Sequence, residues 1–261
     1  MFIQIQEKIK QVKEKKLKVL DLSYDCDREE QKLEKIPTEI FDLKQLEYLS
    51  LRGHSLKKIP QEINNLINLQ YLDLSSNQLD EIPSEMGSLI SLEHLDLSRN
   101  QLFCLPTAFV NLNSLIYLDL SINQFSEFPE FLGEIASLKY LSFAVNRLYS
   151  LPESIIKLSN LNHLDLSKNK FVRFPEFITS LKKLTYLDLS VNQLTSLPEN
   201  IDQLSELRDL GLLNNQIKTL PTSMINMTNL EYIELWDNPL PKNLSREIGF
   251  EDIRKYFDSL R

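Results

Sequence analysis

The sequence predicts an α/β solenoid of about ten stacked strand-and-turn repeats, closed at each end by an amphipathic helix. Three observations carry this prediction. A leucine recurs at a constant step along most of the chain. Within each step, an alternating apolar stretch is followed by an asparagine and then a proline. At the two ends that pattern gives way to apolar residues at helical spacing.

The elements follow in order. Ile5, Ile9 and Val12 lie at i, i+4 and i+7 among lysines, the spacing of a helix with one apolar stripe. The first repeat opens at Leu17 and the second at Leu46, a step of 29 that implies a six-residue insertion within 26–32. From Leu46 the opening leucine recurs at Leu69, Leu92, Leu115, Leu138, Leu161, Leu184, Leu207 and Leu230, every step being 23. A fixed period of this length is the signature of a repeat architecture. In the repeat that begins at Leu69, Leu72 and Leu74 alternate with polar residues as in a short strand buried on one face. Asn77 follows where the chain must turn, and its amide can donate and accept for loop backbone that would otherwise be buried unpaired. The same position holds Asn100, Asn123, Asn146, Asn169, Asn192, Asn215 and Asn238, whereas the first two repeats carry Asp25 and His54, so the ladder should be less regular there. Pro83 then favours an irregular or short helical return, with Met86 and Leu89 leading the apolar face into the next strand. One repeat cannot bury its own leucines; stacking makes a continuous core and leaves two raw ends that need covering. Ile253, Phe257 and Leu260, with Tyr256 beside them, offer one helical face for the second end.

The motif L-x-x-L-x-L-x-x-N-x-L-x-x-L-P-x-x-[I/M/F/L]-x-x-L over about residues 17–240 resembles the 23-residue class of leucine-rich repeat proteins, among them intracellular Ras-group scaffolds and bacterial, including spirochaete, members. The resemblance implies a horseshoe or arc with a parallel sheet on its concave face, and a protein-binding platform rather than an enzyme. The cysteine-clustered caps of extracellular members are missing.

Composition narrows the function classes. Leucine accounts for 50 of 261 residues, and glycine for only five. The two closest glycines, Gly53 and Gly87, are 34 positions apart, so neither the P-loop nor the dinucleotide-binding glycine turn can be built. A net charge of −8 argues against nucleic acid as a partner. Residues 1–20 run against the trend, with six lysines and two glutamates. No stretch of 18 apolar residues suggests a transmembrane helix, and the first residues lack the form of a secretory signal. Cys26 and Cys104, kept apart by the repeats, cannot form a disulfide framework, which favours a reducing compartment. His54, His94 and His163 match no metal-ligand spacing, and Cys104 has no fixed histidine partner. No cofactor, metal or catalytic constellation is therefore expected. Asn226-Met227-Thr228 and Asn243-Leu244-Ser245 fit glycosylation triplets of a kind that arises by accident.

Strand side chains alternate, so the residues flanking each buried leucine should face outward in two columns. One column contains Tyr71, His94, Tyr117, Tyr140, His163, Tyr186 and Tyr232; the other contains Asp73, Asp96, Asp119, Asp165 and Asp188. At roughly 4.8 Å per strand, ten strands give a strip about 43 Å long, aromatic on one side and acidic on the other. These columns either serve the sheet or bind a partner. Ile122 and Val145 depart from the repeat's own pattern, as does Leu213, which should neighbour Trp236, the only tryptophan. Exposed apolar residues beside tyrosines have the composition of a binding hot spot. Trp236 can instead pack under the C-terminal cap.

The organisation expected is a capping helix over residues 1–16, repeats over 17–240 and a second capping helix over 241–261, leaving no room for a further domain. The function expected is non-catalytic, cytoplasmic recognition by a monomer of a protein with a basic surface through the concave face. Its rivals are an exported bacterial effector or surface protein that binds a host protein or glycan, and a ubiquitin-ligase effector, which would need a catalytic domain the sequence lacks.

Overall fold

The computed structural model describes residues 2–24, 32–241, 247–248 and 250–258, in two units, Met1–Gln124 and Phe125–Arg261. Asp25, most of the insertion with Cys26, the Asn243 triplet and Leu260 lie outside the described residues.

The first unit begins with helix α1 (Phe2–Glu14), whose Ile9 and Val12 are buried and which packs against strand β1. Its strands are β1 (Val19–Asp21), β2 (Tyr48–Ser50), β3 (Tyr71–Asp73), β4 (His94–Asp96) and β5 (Tyr117–Asp119), all parallel and in chain order. Pairing is one repeat to the next with no slip: Leu20↔Leu49, Leu49↔Leu72, Leu72↔Leu95 and Leu95↔Leu118. The second unit carries β6 (Tyr140–Ser142), β7 (His163–Asp165), β8 (Tyr186–Asp188), β9 (Asp209–Gly211) and β10 (Tyr232–Glu234), again parallel and in register. A two-residue strand, β11 (Glu247–Ile248), pairs antiparallel with β10, and helix α2 (Phe250–Asp258) packs on the last return. β11 was not expected from the sequence; it occupies the hydrogen-bonding edge that β10 would otherwise leave open.

In most repeats a proline stops the chain from extending a ladder and opens a short 3₁₀ helix, as at Ser84–Ser88 after Pro83 and Glu153–Lys157 after Pro152. The aliphatic residue in that helix, Met86 or Ile155 here, is fully buried. The opening leucines from Leu46 to Leu230 are all buried, whereas Leu17 is 43% exposed, because no earlier repeat covers it. In the second unit several leucine positions hold phenylalanine, and Phe125 meets Phe143 edge-on at 5.4 Å.

The turn after each strand is an accounting of backbone hydrogen bonds. Asn100 Oδ1 accepts the Leu79 N–H at 3.0 Å, while its Nδ2 donates to the carbonyls of Leu74 and Leu97, each at 3.0 Å. The Leu74 carbonyl also accepts from Asn77, so consecutive asparagines share an acceptor and tie each repeat to the one before it. The second unit repeats the arrangement, for example at Asn169 with Leu148 N–H, Phe143 O and Leu166 O. His54 does the same work as the asparagines: Nδ1 accepts the Leu33 N–H at 3.1 Å, and Nε2 lies 2.7 Å from the Leu22 carbonyl. The ladder is therefore chemically continuous at His54, where an irregularity was expected.

The residue before each ladder member takes a left-handed conformation, with φ +82° at Gly53 and between 52° and 56° at Ser76, Arg99, Ile122, Val145, Lys168, Val191, Asn214 and Asp237. Such a φ costs an L-residue roughly 1–2 kcal/mol and is least tolerable for β-branched side chains.

Asn100→Ala leaves the buried Leu79 N–H unpaired and takes one of two amide donors from each of the Leu74 and Leu97 carbonyls, so it should cost about 1–3 kcal/mol in urea unfolding; His54→Asn should be far milder than His54→Ala. We also propose that α1 acts as a cap, so that removing residues 2–14 lowers the melting temperature or causes aggregation; an unchanged monomer would make it a free tail.

Candidate protein-binding face

Perfect register stacks the first residue of every strand. In the first unit Tyr48, Tyr71, His94 and Tyr117 lie ring on ring, with successive centroids 4.3, 4.2 and 4.0 Å apart and planes within 10°. In the second, Tyr140, His163 and Tyr186 stack at 4.3 and 4.0 Å. The rings of each stack are half-buried. Asp209 interrupts the row, and Tyr232 beyond it is 37% exposed.

The carboxylates of the second column have a task that the alternation alone did not reveal. Asp73, Asp96 and Asp119 each accept the backbone N–H two residues on, from Ser75, Ser98 and Ser121 at 2.8–2.9 Å. Asp165 and Asp188 do so for Ser167 and Ser190. This short loop of side chain to backbone sets up the left-handed residue that follows. Asp73 is only 6% exposed, so it does not present itself on the face as expected; its carboxylate bonds forward to the turn at Ser75. Asp96, Asp119, Asp165 and Asp188 remain half-exposed, with one oxygen committed to the turn. Gly211 marks one break in the column: a Cβ there would lie 2.3 Å from an oxygen of Asp188, so a side chain at this place requires that carboxylate to shift.

Electrostatics follow burial. Burial pushes the Asp96 carboxyl up to about 6, its bonds to Ser98 oppose the shift, and Asp119 and Asp73 add to it. His163 is pushed down to about 4 by burial against a smaller opposing pull from Asp188, and His94 is lowered for the same leading reason. Tyr71 is raised to about 12, chiefly by burial and then by Asp73. The rows therefore set rings that resist charging beside one carboxyl, Asp96, that resists ionisation.

The departures from the repeat pattern fall into two kinds. Ile122 and Val145, in the first and second unit respectively, occupy left-handed positions at φ +55° and +56°, where a β-branched residue is strained. Val145 is also 37% exposed. Leu213 is half-buried, and Trp236 is 45% exposed, not packed under a cap. Ala144, next to Val145, is buried. Cys104 is exposed and free, Asn226 donates to Asp202 at 2.8 Å, and no group of metal-ligating side chains occurs among the described residues. None of the described helices is long and apolar enough to cross a membrane.

The low value for His163 gives a signed expectation. Between pH 6.5 and 4 the unfolded chain takes up a proton at this residue that the folded chain refuses, so stability falls as the pH drops through that window. Asp96 acts in the opposite sense between 3.8 and about 6, since the folded carboxyl holds its proton longer. His163→Tyr keeps a ring in the stack and removes the titration; urea unfolding at pH 7 and pH 5 should show a smaller loss of stability on acidification than in the unsubstituted chain.

Comparison with known proteins places this architecture. Residues 4–134 match the family described as leucine-rich repeat region, and residues 136–194 match leucine-rich repeat. A leucine-rich repeat protein of Leptospira interrogans is 38% identical with a TM-score of 0.85, over 96% of this chain and 60% of that one. The Arabidopsis receptor kinase HAESA, solved with the peptide hormone IDA and the co-receptor SERK1, is 31% identical with a TM-score of 0.72, over 85% of this chain and 38% of that one. TLR13, solved with the RNA ssRNA13, is 29% identical with a TM-score of 0.70, over 84% and 32%. The chain thus spans 60% or less of the length of these structures. No functionally curated protein matches it. The chain belongs to the leucine-rich repeat family.

Proposed function

We propose that this chain is a non-catalytic protein-binding module whose exposed sheet face holds a partner with a basic surface. The observation that carries the reading is the state of Asp96: a carboxyl raised to about 6, beside like charges and stacked rings, is relieved when a cation arrives. HAESA, whose structure contains a peptide hormone and a co-receptor, supports the class of function. In the first unit the contact residues are Tyr71, His94, Tyr117, Asp96, Asp119 and Ile122. In the second they are Tyr140, His163, Tyr186, Asp165 and Asp188, together with Val145, Leu213, Tyr232 and Trp236. Aspartates speed encounter and fix register, while the rings and apolar residues supply burial.

The two jobs of the aspartates dictate the test. Asp→Asn keeps the oxygen that accepts the serine N–H and removes only the charge, so a variant neutralised at Asp96, Asp119, Asp165 and Asp188 should fold. A partner captured with the intact chain and identified by mass spectrometry should be basic, and this variant should bind it more slowly and with weaker salt dependence. Tyr140→Ala should instead speed dissociation and cost about 2 kcal/mol, near thirtyfold in affinity. Binding should also tighten as the pH rises through about 6, because the partner favours the ionised Asp96 and its arrival releases the proton. Val145→Asn separates folding from binding: relief of the left-handed valine should raise stability, while affinity falls. Unaltered association by the folded, neutralised variant would move the contact to another surface.

A further inference from the structure

A second surface in the Phe125–Arg261 unit owes nothing to the sheet face. It lies on the loops between asparagine and proline in two consecutive repeats, where a cleft of about 550 Å³ is lined by residues 149–151, 170 and 172–177. Tyr149 and Val172 hold the same place in their repeats and are 58% and 50% exposed, and Phe177 in the following 3₁₀ helix is 41% exposed. Elsewhere the first of these places holds Lys57, Asp80, Ser126, Thr195 or Lys218, with Phe103 the one other apolar residue, and the place of Phe177 holds Glu62, Glu85, Ser154 or Asn200, with Phe131 the other aromatic. Polar residues serve the fold at these places, so the apolar ones are not demanded by it.

Two cations border the same cleft. Lys170 stands where most repeats have glutamine (Gln78, Gln101, Gln124, Gln193 and Gln216), and Arg173 stands where others have Glu81, Glu127 or serine. Both are exposed, and among the described residues neither forms an ion pair. Glu176 is the one carboxylate among the lining residues. In a chain of net charge −8, an apolar cleft edged by two unpaired cations is complementary to an acidic ligand with an apolar anchor. An exposed apolar group flanked by a guanidinium has the makeup of an interaction hot spot.

We infer that this cleft is a second docking site, for an extended acidic segment of a partner protein that seats an aliphatic or aromatic side chain between Tyr149, Val172 and Phe177 and sets its carboxylates on Lys170 and Arg173. The site goes beyond the sheet-face reading and is opposite to it in the charge it selects.

A peptide-display selection tests it, with a random 12-residue library panned on the intact chain and counter-panned on the Val172→Ser, Arg173→Glu double variant. Each substitution lies on the surface, so the melting temperature should hold. The expected result is enrichment of peptides with several Asp or Glu around a large apolar residue. A synthetic peptide of the enriched sequence, labelled with fluorescein, should bind the double variant at least about tenfold more weakly, bind more weakly in high salt, and be indifferent to the Asp→Asn variant of the sheet face. Enrichment of basic peptides, or of none beyond the counter-selection, overturns the proposal. So does a dimer, seen by light scattering and lost in the double variant, since the cleft would then belong to a second copy of this chain.

Discussion

A buried polar turn must be satisfied once per repeat, and the asparagine ladder is how this chain satisfies it. Each amide accepts an N–H from the preceding repeat's loop and donates to carbonyls in both its own and the preceding repeat, as Asn100 does with Leu79, Leu74 and Leu97. Moving the asparagine by one position would leave at least one buried backbone group unpaired, at a cost of about 1–3 kcal/mol each. That constraint accounts for the constant step of 23 better than the leucines do, since an apolar core tolerates changes of shape that a hydrogen bond does not. His54 shows that the requirement is for the bonds and not for the residue: an imidazole with one accepting and one donating nitrogen fills the place.

The rest of the repeat is arranged around that turn. The residue before the asparagine must be left-handed, and an aspartate three residues earlier helps by accepting the N–H of the serine between them. The strands are three residues long because the turn begins so soon. With strand length and register set, like side chains stack on like, and the tyrosines and histidines form continuous rows about 4 Å apart. The exposed face is thus partly a by-product of the fold. Its aspartates hold turns, its rings cover one another, and yet Asp96 keeps a carboxyl that would be better off beside a cation. Residues that serve the fold and carry a charge toward solvent are available for recognition at little extra cost.

Where residues depart from what the fold prefers, the departure is informative. Ile122 and Val145 accept a strained φ that serine, asparagine or glycine would adopt more easily. Tyr149, Val172 and Phe177 expose apolar surface at places that most other repeats fill with polar groups. Gly211 is the contrary case, a departure that leaves room, since a Cβ there would lie 2.3 Å from the Asp188 carboxylate as it is placed.

The repeat, its period, the strands and the asparagine ladder were legible in the sequence, because each rests on residue types recurring at fixed spacing. The sequence also identified both rows of the sheet face, since alternation follows from strand geometry alone. It could not distinguish Asp73, buried at 6%, from its half-exposed counterparts, nor find the bond that each aspartate makes to the backbone two residues on. It read Ile122 and Val145 as apolar exceptions without their left-handed φ, and it divided Trp236 between cap and surface. The two-residue β11 is too short to leave a pattern, and the cleft between Tyr149 and Phe177 joins side chains from two repeats. Tertiary structure decided these because burial, backbone strain and clefts depend on which atoms neighbouring repeats bring together, and spacing within one repeat carries no record of that.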